Sequence, residues 1–239
     1  MRVPELPREI NFVKVGAVAA FLLAATLAAA FASFPALSDV DTPRTEGEEF
    51  LNDIVDKKNF AIAIVWLFAL LGLLIVPYAL GLYYGLRRWG ESYMRLALVA
   101  AVVGAVLLGL AQASAAAVTA YIVPAWAEAG DEATRAMLLS DFQILNWVGD
   151  ATFSMFSIVI TVATIAASLV MLRLGDRWWQ GVAWIGILSG VAGIFEAFGL
   201  AAEGFAITAG FISGILAFFW FLGAGIGLWR LPAAEAAAA

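Results

Sequence analysis

Asp150, Ser154, Ser157, Thr161, Thr164 and Ser168 recur at spacings of four, three, four, three and four inside an otherwise apolar run from Phe142 to Leu172. On an α-helix these intervals draw one polar stripe, with Ile, Val, Phe, Met and Ala covering the rest of the surface. In so apolar a segment the stripe has to face protein and not lipid. Two more polar groups interrupt long apolar stretches: Gln112, and Glu196, which shares a helical face with Ser189, Gly193 and Glu203 beside the small pair Gly186 and Gly190. Carboxylates and hydroxyls of this kind can hold a cation, exchange a proton or bind a polar headgroup. An ionised carboxylate at the bilayer centre costs about 2.5–3.5 kcal/mol on insertion scales, so Glu196 is expected to be protonated, paired or wetted by a cavity.

The chain has no Cys and no His. Disulfides, iron–sulfur clusters, Cys nucleophiles, His-ligated haem and His-containing zinc or di-iron sites are therefore excluded. A rhomboid-type protease needs a His, and an aspartyl intramembrane protease needs two mid-membrane Asp residues where only Gly149-Asp150 offers a fragment of the motif. Retinal needs a buried Lys, yet Lys14, Lys57 and Lys58 fall at predicted helix ends. A Glu or Asp acting alone as general base is the one enzymatic arrangement left open.

The elements that must position these groups follow from hydropathy. Of 239 residues 64% are hydrophobic and 13% charged, against roughly 45–50% apolar usage in soluble domains; the mean hydropathy is +0.94. Apolar windows exceed the roughly 18 residues that cross a bilayer and lack the alternation of barrel strands, so the spans are helices. Six are expected, at about 11–33, 59–86, 93–123, 142–172, 178–202 and 205–229, in a single all-α transmembrane domain covering residues 1–239. The first follows Arg2, Arg8 and Lys14 and ends in Ala30-Phe31-Ala32; its apolar run is longer than a signal peptide's, which makes it a retained span. It carries a small residue at every fourth position, Gly16, Ala20, Ala24 and Ala28, a close-packing pattern. Pro77 should kink the second span and free the carbonyl of Leu73, and Pro124 should end the third.

Two short amphipathic helices are expected on the outer membrane surface. One lies within the acidic segment that holds Asp39, Asp41, Glu46, Glu48, Glu49, Asp53 and Asp56, where Thr45 and Glu48 fit a capping box and Phe50, Leu51, Ile54 and Val55 form one apolar side. That loop lacks the ligand spacing of an EF-hand, and no metal site is assigned to it. The other runs from Asp131 to Leu145, with Met137, Leu138 and Phe142 against the membrane. Nine cations (Arg2, Arg8, Lys14, Arg87, Arg88, Arg95, Arg173, Arg177, Arg230) share one side against four (Arg44, Lys57, Lys58, Arg135), which predicts cytoplasmic N- and C-termini in a bacterial inner membrane.

The second span ends in Tyr83-Tyr84-Gly85-Leu86-Arg87-Arg88, and the fifth opens on Arg177-Trp178-Trp179 before Gly186 and Gly190. In these features the chain resembles uncharacterised bacterial six-helix membrane proteins of the domain-of-unknown-function type. Where such proteins are expected to carry a proline near the basic turn, Asp176 stands here. The resemblance implies the six-helix fold and transfers no functional residue.

With a rise of about 1.5 Å per residue, Glu196 lies roughly 25 Å from the Trp178–Trp179 belt and Gln112 roughly 25 Å from Arg95. Asp150 is expected at a similar level. The expected function is a non-catalytic membrane protein that binds a small hydrophobic or lipid-like ligand in an outward-facing pocket, or serves as an accessory subunit. The pocket would use Gln112, Asp150, Ser154, Ser157 and Glu196, with no cofactor and no metal. The alternative is a proton- or cation-coupled transporter using Asp150 or Glu196, which would need a polar route past Thr161 and Thr164 towards Arg173; no inverted repeat supports it. Expected partners are the lipid bilayer and a second copy or a larger membrane complex. An acidic chain of formal charge −6 is not a nucleic-acid binder.

Overall fold

A computed structural model describes residues 11–33, 47–198 and 203–231. Pro35, the acidic loop as far as Glu46 and Thr45 of the expected capping box lie outside the described residues, as do the segments before Asn11 and after Leu231. The described chain is helical: α1 (Phe12–Ser33), α2 (Gly47–Asp56), α3 (Lys58–Leu86), α4 (Glu91–Ala117), α5 (Val123–Glu128), α6 (Glu132–Met171), α7 (Arg177–Phe198) and α8 (Glu203–Arg230). Six stretches are long and apolar enough to cross a membrane, the third formed by α4 and α5 together.

The long helices alternate in direction and close on themselves. Helix α1 packs on α3, α3 on α4, α4 on α6, α6 on α7, α7 on α8, and α8 returns to α1. Short connections make sequence neighbours spatial neighbours, and the result is a six-helix ring. One end of the ring carries Arg87, Arg88, Arg95, Arg173, Arg177 and Arg230; the other carries α2 and the α5–α6 turn. These are the basic and acidic ends below. Trp66, Leu73, Val99 and Val106 stand exposed on the outside, as a hydrocarbon surround requires.

Inside, one cluster of buried side chains runs through all six long helices, and a second, built from Leu51, Ile54, Val118, Trp126, Leu138 and Phe142, caps the acidic end. Helix α2 differs from the expected surface helix in what it covers. Its apolar side, with Leu51 and Ile54 buried, lies on α5 and α6 and not on lipid, and the Trp126 indole donates to Asn52 Oδ1 at 2.9 Å.

Three further expectations are corrected. The stretch Asp131–Leu145 is not a separate surface helix but the first turns of the continuous 40-residue α6. No proline interrupts it, and Leu138 and Phe142 are buried against protein while Met137 alone of that trio is exposed. Pro124 does not end the third span. The chain widens into a π-turn over Val118–Ile122, with Val123 N–H bonded to the Val118 carbonyl, and continues as α5 with Pro124 in its first turn; a prolyl ring lacks the donor that the ordinary ladder would need there. Trp179 is buried against Gly227 of α8 and only Trp178 is partly exposed, so the expected belt is half a packing contact. Helix α3, in turn, runs through Pro77 unbroken.

The turn between α6 and α7 shows what Asp176 does where a proline was expected. Gly175 takes φ 73°, the left-handed region that closes a helix end, and Asp176 Oδ1 accepts the Trp178 amide at 3.0 Å as the cap of α7. At the other end of α6, Asp131 accepts the Thr134 hydroxyl at 2.7 Å and the Thr134 amide at 2.9 Å. These bonds hold its carboxyl below the usual carboxylate range, the hydroxyl contributing most. A depressed folded pKa means stabilisation present at neutral pH and lost as pH falls through that pKa. Asp131→Ala is therefore expected to speed hydrogen exchange of the first α6 amides several-fold at pH 7, with Asp131→Asn, which keeps an acceptor but no charge, in between. After correction for intrinsic rates, the gap between parent and Asp131→Ala should narrow as pH falls well below 3.8, towards the smaller gap between Asp131→Asn and Asp131→Ala; a gap that does not narrow would remove the charge of the cap from this account.

Candidate functional site

The polar stripe of α6 faces into the bundle. Ser157, Thr161, Thr164 and Ser168 are buried, while Asp150 and Ser154 nearer the acidic end are half-buried. Helix α7 meets it through small residues, which let the backbones approach. Thr161 Oγ1 donates to the Gly190 carbonyl at 3.3 Å. Helices α7 and α8 are joined reciprocally, Ser189 Oγ to the Ser213 carbonyl at 3.0 Å and Ser213 Oγ to the Ser189 carbonyl at 3.1 Å. Each such interhelical bond contributes on average about 0.6 kcal/mol in a membrane. These hydroxyls are spent on carbonyls, so they staple helices and are not poised as nucleophiles.

One turn further towards the acidic end the seam acquires a carboxyl group. A Cβ on Gly193 would stand 2.8 Å from Thr161 Oγ1 and 3.3 Å from Ser213 Oγ, and a Cβ on Gly210 would stand 2.8 Å from Glu196 Oε1. The hydroxyls thus converge on Gly193, and the Glu196 carboxylate, half-buried, lies over Gly210 of α8. The side chain of Glu203 lies outside the described residues.

The expected pocket residues divide into two groups. Gly149 of α6 packs beside Ser114 and the Ala111 carbonyl of α4, which puts half-buried Gln112 and Asp150 at one level on α4 and α6. Glu196 lies elsewhere. Counting back from Gly193, opposite Thr161, it sits about 12 Å deeper than Asp150 and faces α8. Ser154 and Ser157 fall between the two levels. The structure therefore places Glu196 near the level where Thr161 and Ser213 meet Gly193, and Gln112 near the level of Asp150, on different helix contacts.

Two residues that sequence reasoning did not single out enter the same seam. Trp220 Nε1 comes within 2.5 Å of where a Gly186 Cβ would be, and Ser168 Oγ closes on the same point. Tyr78 meets Trp220 edge-on with ring centroids 5.5 Å apart. A Trp seven residues from Ser213 and ten from Gly210 shares their side of α8, and that spacing was the available signal. Below them the basic end is sealed by Leu86, Val170, Met171 and Leu228, all fully buried. Among the described residues no three acidic, His or Cys side chains come together as a metal site.

A closed ring of membrane-length helices with a hydroxyl-and-carboxylate seam defines a polytopic membrane helix bundle. Residues 17–226 match the family model of a domain of unknown function, DUF4386, and the chain belongs to that family. No curated protein and no solved structure matches it.

Proposed function

We propose that this is a non-catalytic protein of the bacterial inner membrane, with both termini cytoplasmic, that binds a small cationic or polar ligand from the outward side against Glu196. The observation that carries the reading is the Glu196 carboxylate on Gly210, at the head of hydroxyls from Thr161, Ser189 and Ser213, above a basic end sealed by apolar side chains. A carboxylate kept inside a helix contact is costly without a counter-charge or a proton, and a ligand cation supplies the first. The excess of cations at the basic end supports the orientation. Gln112 and Asp150, a level above, lie on the ligand's way in, and an accessory role in a larger complex fits the same geometry.

The test is native mass spectrometry of protein taken gently from its own membrane. The parent is expected to retain a small molecule, and Glu196→Gln, equally stable, to lower its occupancy at least tenfold. Retention of that molecule by Glu196→Gln, or a parent free of it, would overturn the reading.

The second reading, a proton- or cation-coupled transporter, is favoured by one observation: the buried hydroxyls continue past Thr161 to Thr164 and Ser168. It requires the apolar seal below Ser168 to open. In proteoliposomes it demands pH-dependent flux that Glu196→Gln abolishes, and flux unchanged in that variant would sink it.

A further inference from the structure

On the outside of the ring, at its basic end, α1 and α8 meet along a groove of about 360 Å³ lined by Val18 and Phe21 of α1 and by Ile226, Trp229 and Arg230 of α8. Most of that lining is hydrocarbon. The rim nearest the helix ends is cationic: Lys14, one turn before Val18, donates from its ammonium to the Trp229 carbonyl and stands 4.9 Å from the centroid of that indole. The Arg230 guanidinium lies over the Trp178 ring, 5.0 Å from its centroid. A guanidinium stacked by its face keeps its N–H edge for phosphate oxygens, and an ammonium with one donor engaged has two left. Among the described residues the carboxylates of this end are engaged elsewhere, Glu91 with Arg95 at 2.7 Å and Asp176 with the Trp178 amide at 3.0 Å.

We propose that this groove binds one anionic phospholipid of the leaflet at the basic end, its phosphate held by Lys14 and Arg230 and an acyl chain laid along Val18, Phe21 and Ile226. Lipid is what surrounds the outside of the ring, and basic pockets between transmembrane helices select the lipids whose headgroups carry negative charge. Trp229, 53% exposed, occupies the level between chain and headgroup that an amphipathic ring prefers. A zwitterionic lipid would fill the groove equally well but would bring the two cations no net charge. A second protein helix would strip both cations of water unless it supplied carboxylates of its own. The groove lies outside the ring and Glu196 lies in its seam, so this site is independent of the ligand assigned there.

Titrating delipidated protein in detergent with phosphatidylglycerol or with phosphatidylcholine of the same chains, and counting bound lipids by native mass spectrometry, tests it. Each cation near a charged lipid contributes roughly fivefold in binding, so the first phosphatidylglycerol is expected to bind roughly tenfold or more tighter than the first phosphatidylcholine. The double substitution Lys14→Gln with Arg230→Gln should bring the two lipids to parity. Arg173→Gln is the control, because Arg173 belongs to the same end but stacks on Tyr93 of α4, across the ring; it should keep the preference. Equal affinities in the parent, a preference that survives the double substitution, or a loss as large in Arg173→Gln would each overturn the proposal. Ile226→Trp, which fills the groove and leaves both cations in place, should weaken phosphatidylglycerol binding to a similar extent. A folded Ile226→Trp protein with the parent's affinity would place the lipid elsewhere and equally overturn it.

Discussion

Gly81→Val is expected to lower the melting temperature of the detergent-solubilised protein by about 10 °C. Gly81 on α3 and Gly16 on α1 stand backbone to backbone: a Cβ on either would collide with the Cα of the other, and one on Gly81 would also stand 3.0 Å from the Phe12 carbonyl oxygen. No rotamer change relieves a clash with main chain, so α1 and α3 must separate inside the buried cluster that also holds Ala17, Ala20 and Tyr78. Overpacking typically costs about 1–3 kcal/mol, a clash of main chain with main chain belongs at the upper end, and each kcal/mol shifts melting by about 2–4 °C in a chain of this size. Gly109→Ala and Gly181→Ala are the controls, since nothing lies within 4 Å of a Cβ at either. They should be neutral or raise the melting point by a degree or two, as replacing a helical Gly by Ala gains about 0.5–1 kcal/mol. A Gly81→Val protein melting within 2 °C of its parent would mean that α1 does not seat on α3 in this way.

That contact was half legible in the sequence. The small-residue stripe of α1 marked a packing face, and Gly16, Ala20 and Ala24 are buried in it while Ala28 is not. Nothing in a one-dimensional pattern said that Gly81 would be the partner of Gly16, because partner choice depends on ring closure. The other glycine pairs behave alike: Gly186 and Gly190 receive Ser168, Thr161 and Ile165, Gly210 and Gly214 receive Glu196 and Phe31, and Gly223 and Gly227 receive Val182 and Trp179. All four pairs, Gly81 and Gly85 included, are used within the chain.

The six spans were legible because apolar length is a strong and local signal. The burial of the α6 stripe followed from the cost of a hydroxyl in lipid, and it holds from Ser157 to Ser168. Boundaries were less legible where chemistry was ambiguous. The charges between Asp131 and Asp141 suggest a surface helix, yet with no breaker before Met171 one continuous helix is the simpler fold of the same residues. Pro124 signalled an end and instead sits in the first turn after a π-turn, a local adjustment that tertiary contacts of Val118, Ile122 and Trp126 stabilise. Tyr78 and Trp220 escaped notice because an aromatic in a transmembrane helix is ordinarily packing; only the missing partners of their polar atoms distinguish them.

Phe142→Ala carries the second large effect, and a local one. Its ring is 1% exposed and stacks on Phe50 with centroids 5.4 Å apart, beneath Leu51 and Ile54. Truncating a buried Phe costs about 3–5 kcal/mol. Helix α2 has ten residues, too few to be stable alone, so its helicity depends on this seat. The loss should appear as opening of α2 and not of the ring, because the acidic-end cluster shares no buried residue with the one that runs through the long helices. At about 1.4 kcal/mol per tenfold, amide exchange over Gly47–Asp56 is expected to accelerate roughly 10²- to 10³-fold, while amides of α3 and α8 near Tyr78 and Trp220 keep the parent's rates. Exchange in α2 unchanged would mean that Phe142 does not hold it. Acceleration spreading equally through the ring would mean that the two clusters unfold as one, and that the acidic end is part of the scaffold and not a separate cap on α5 and α6.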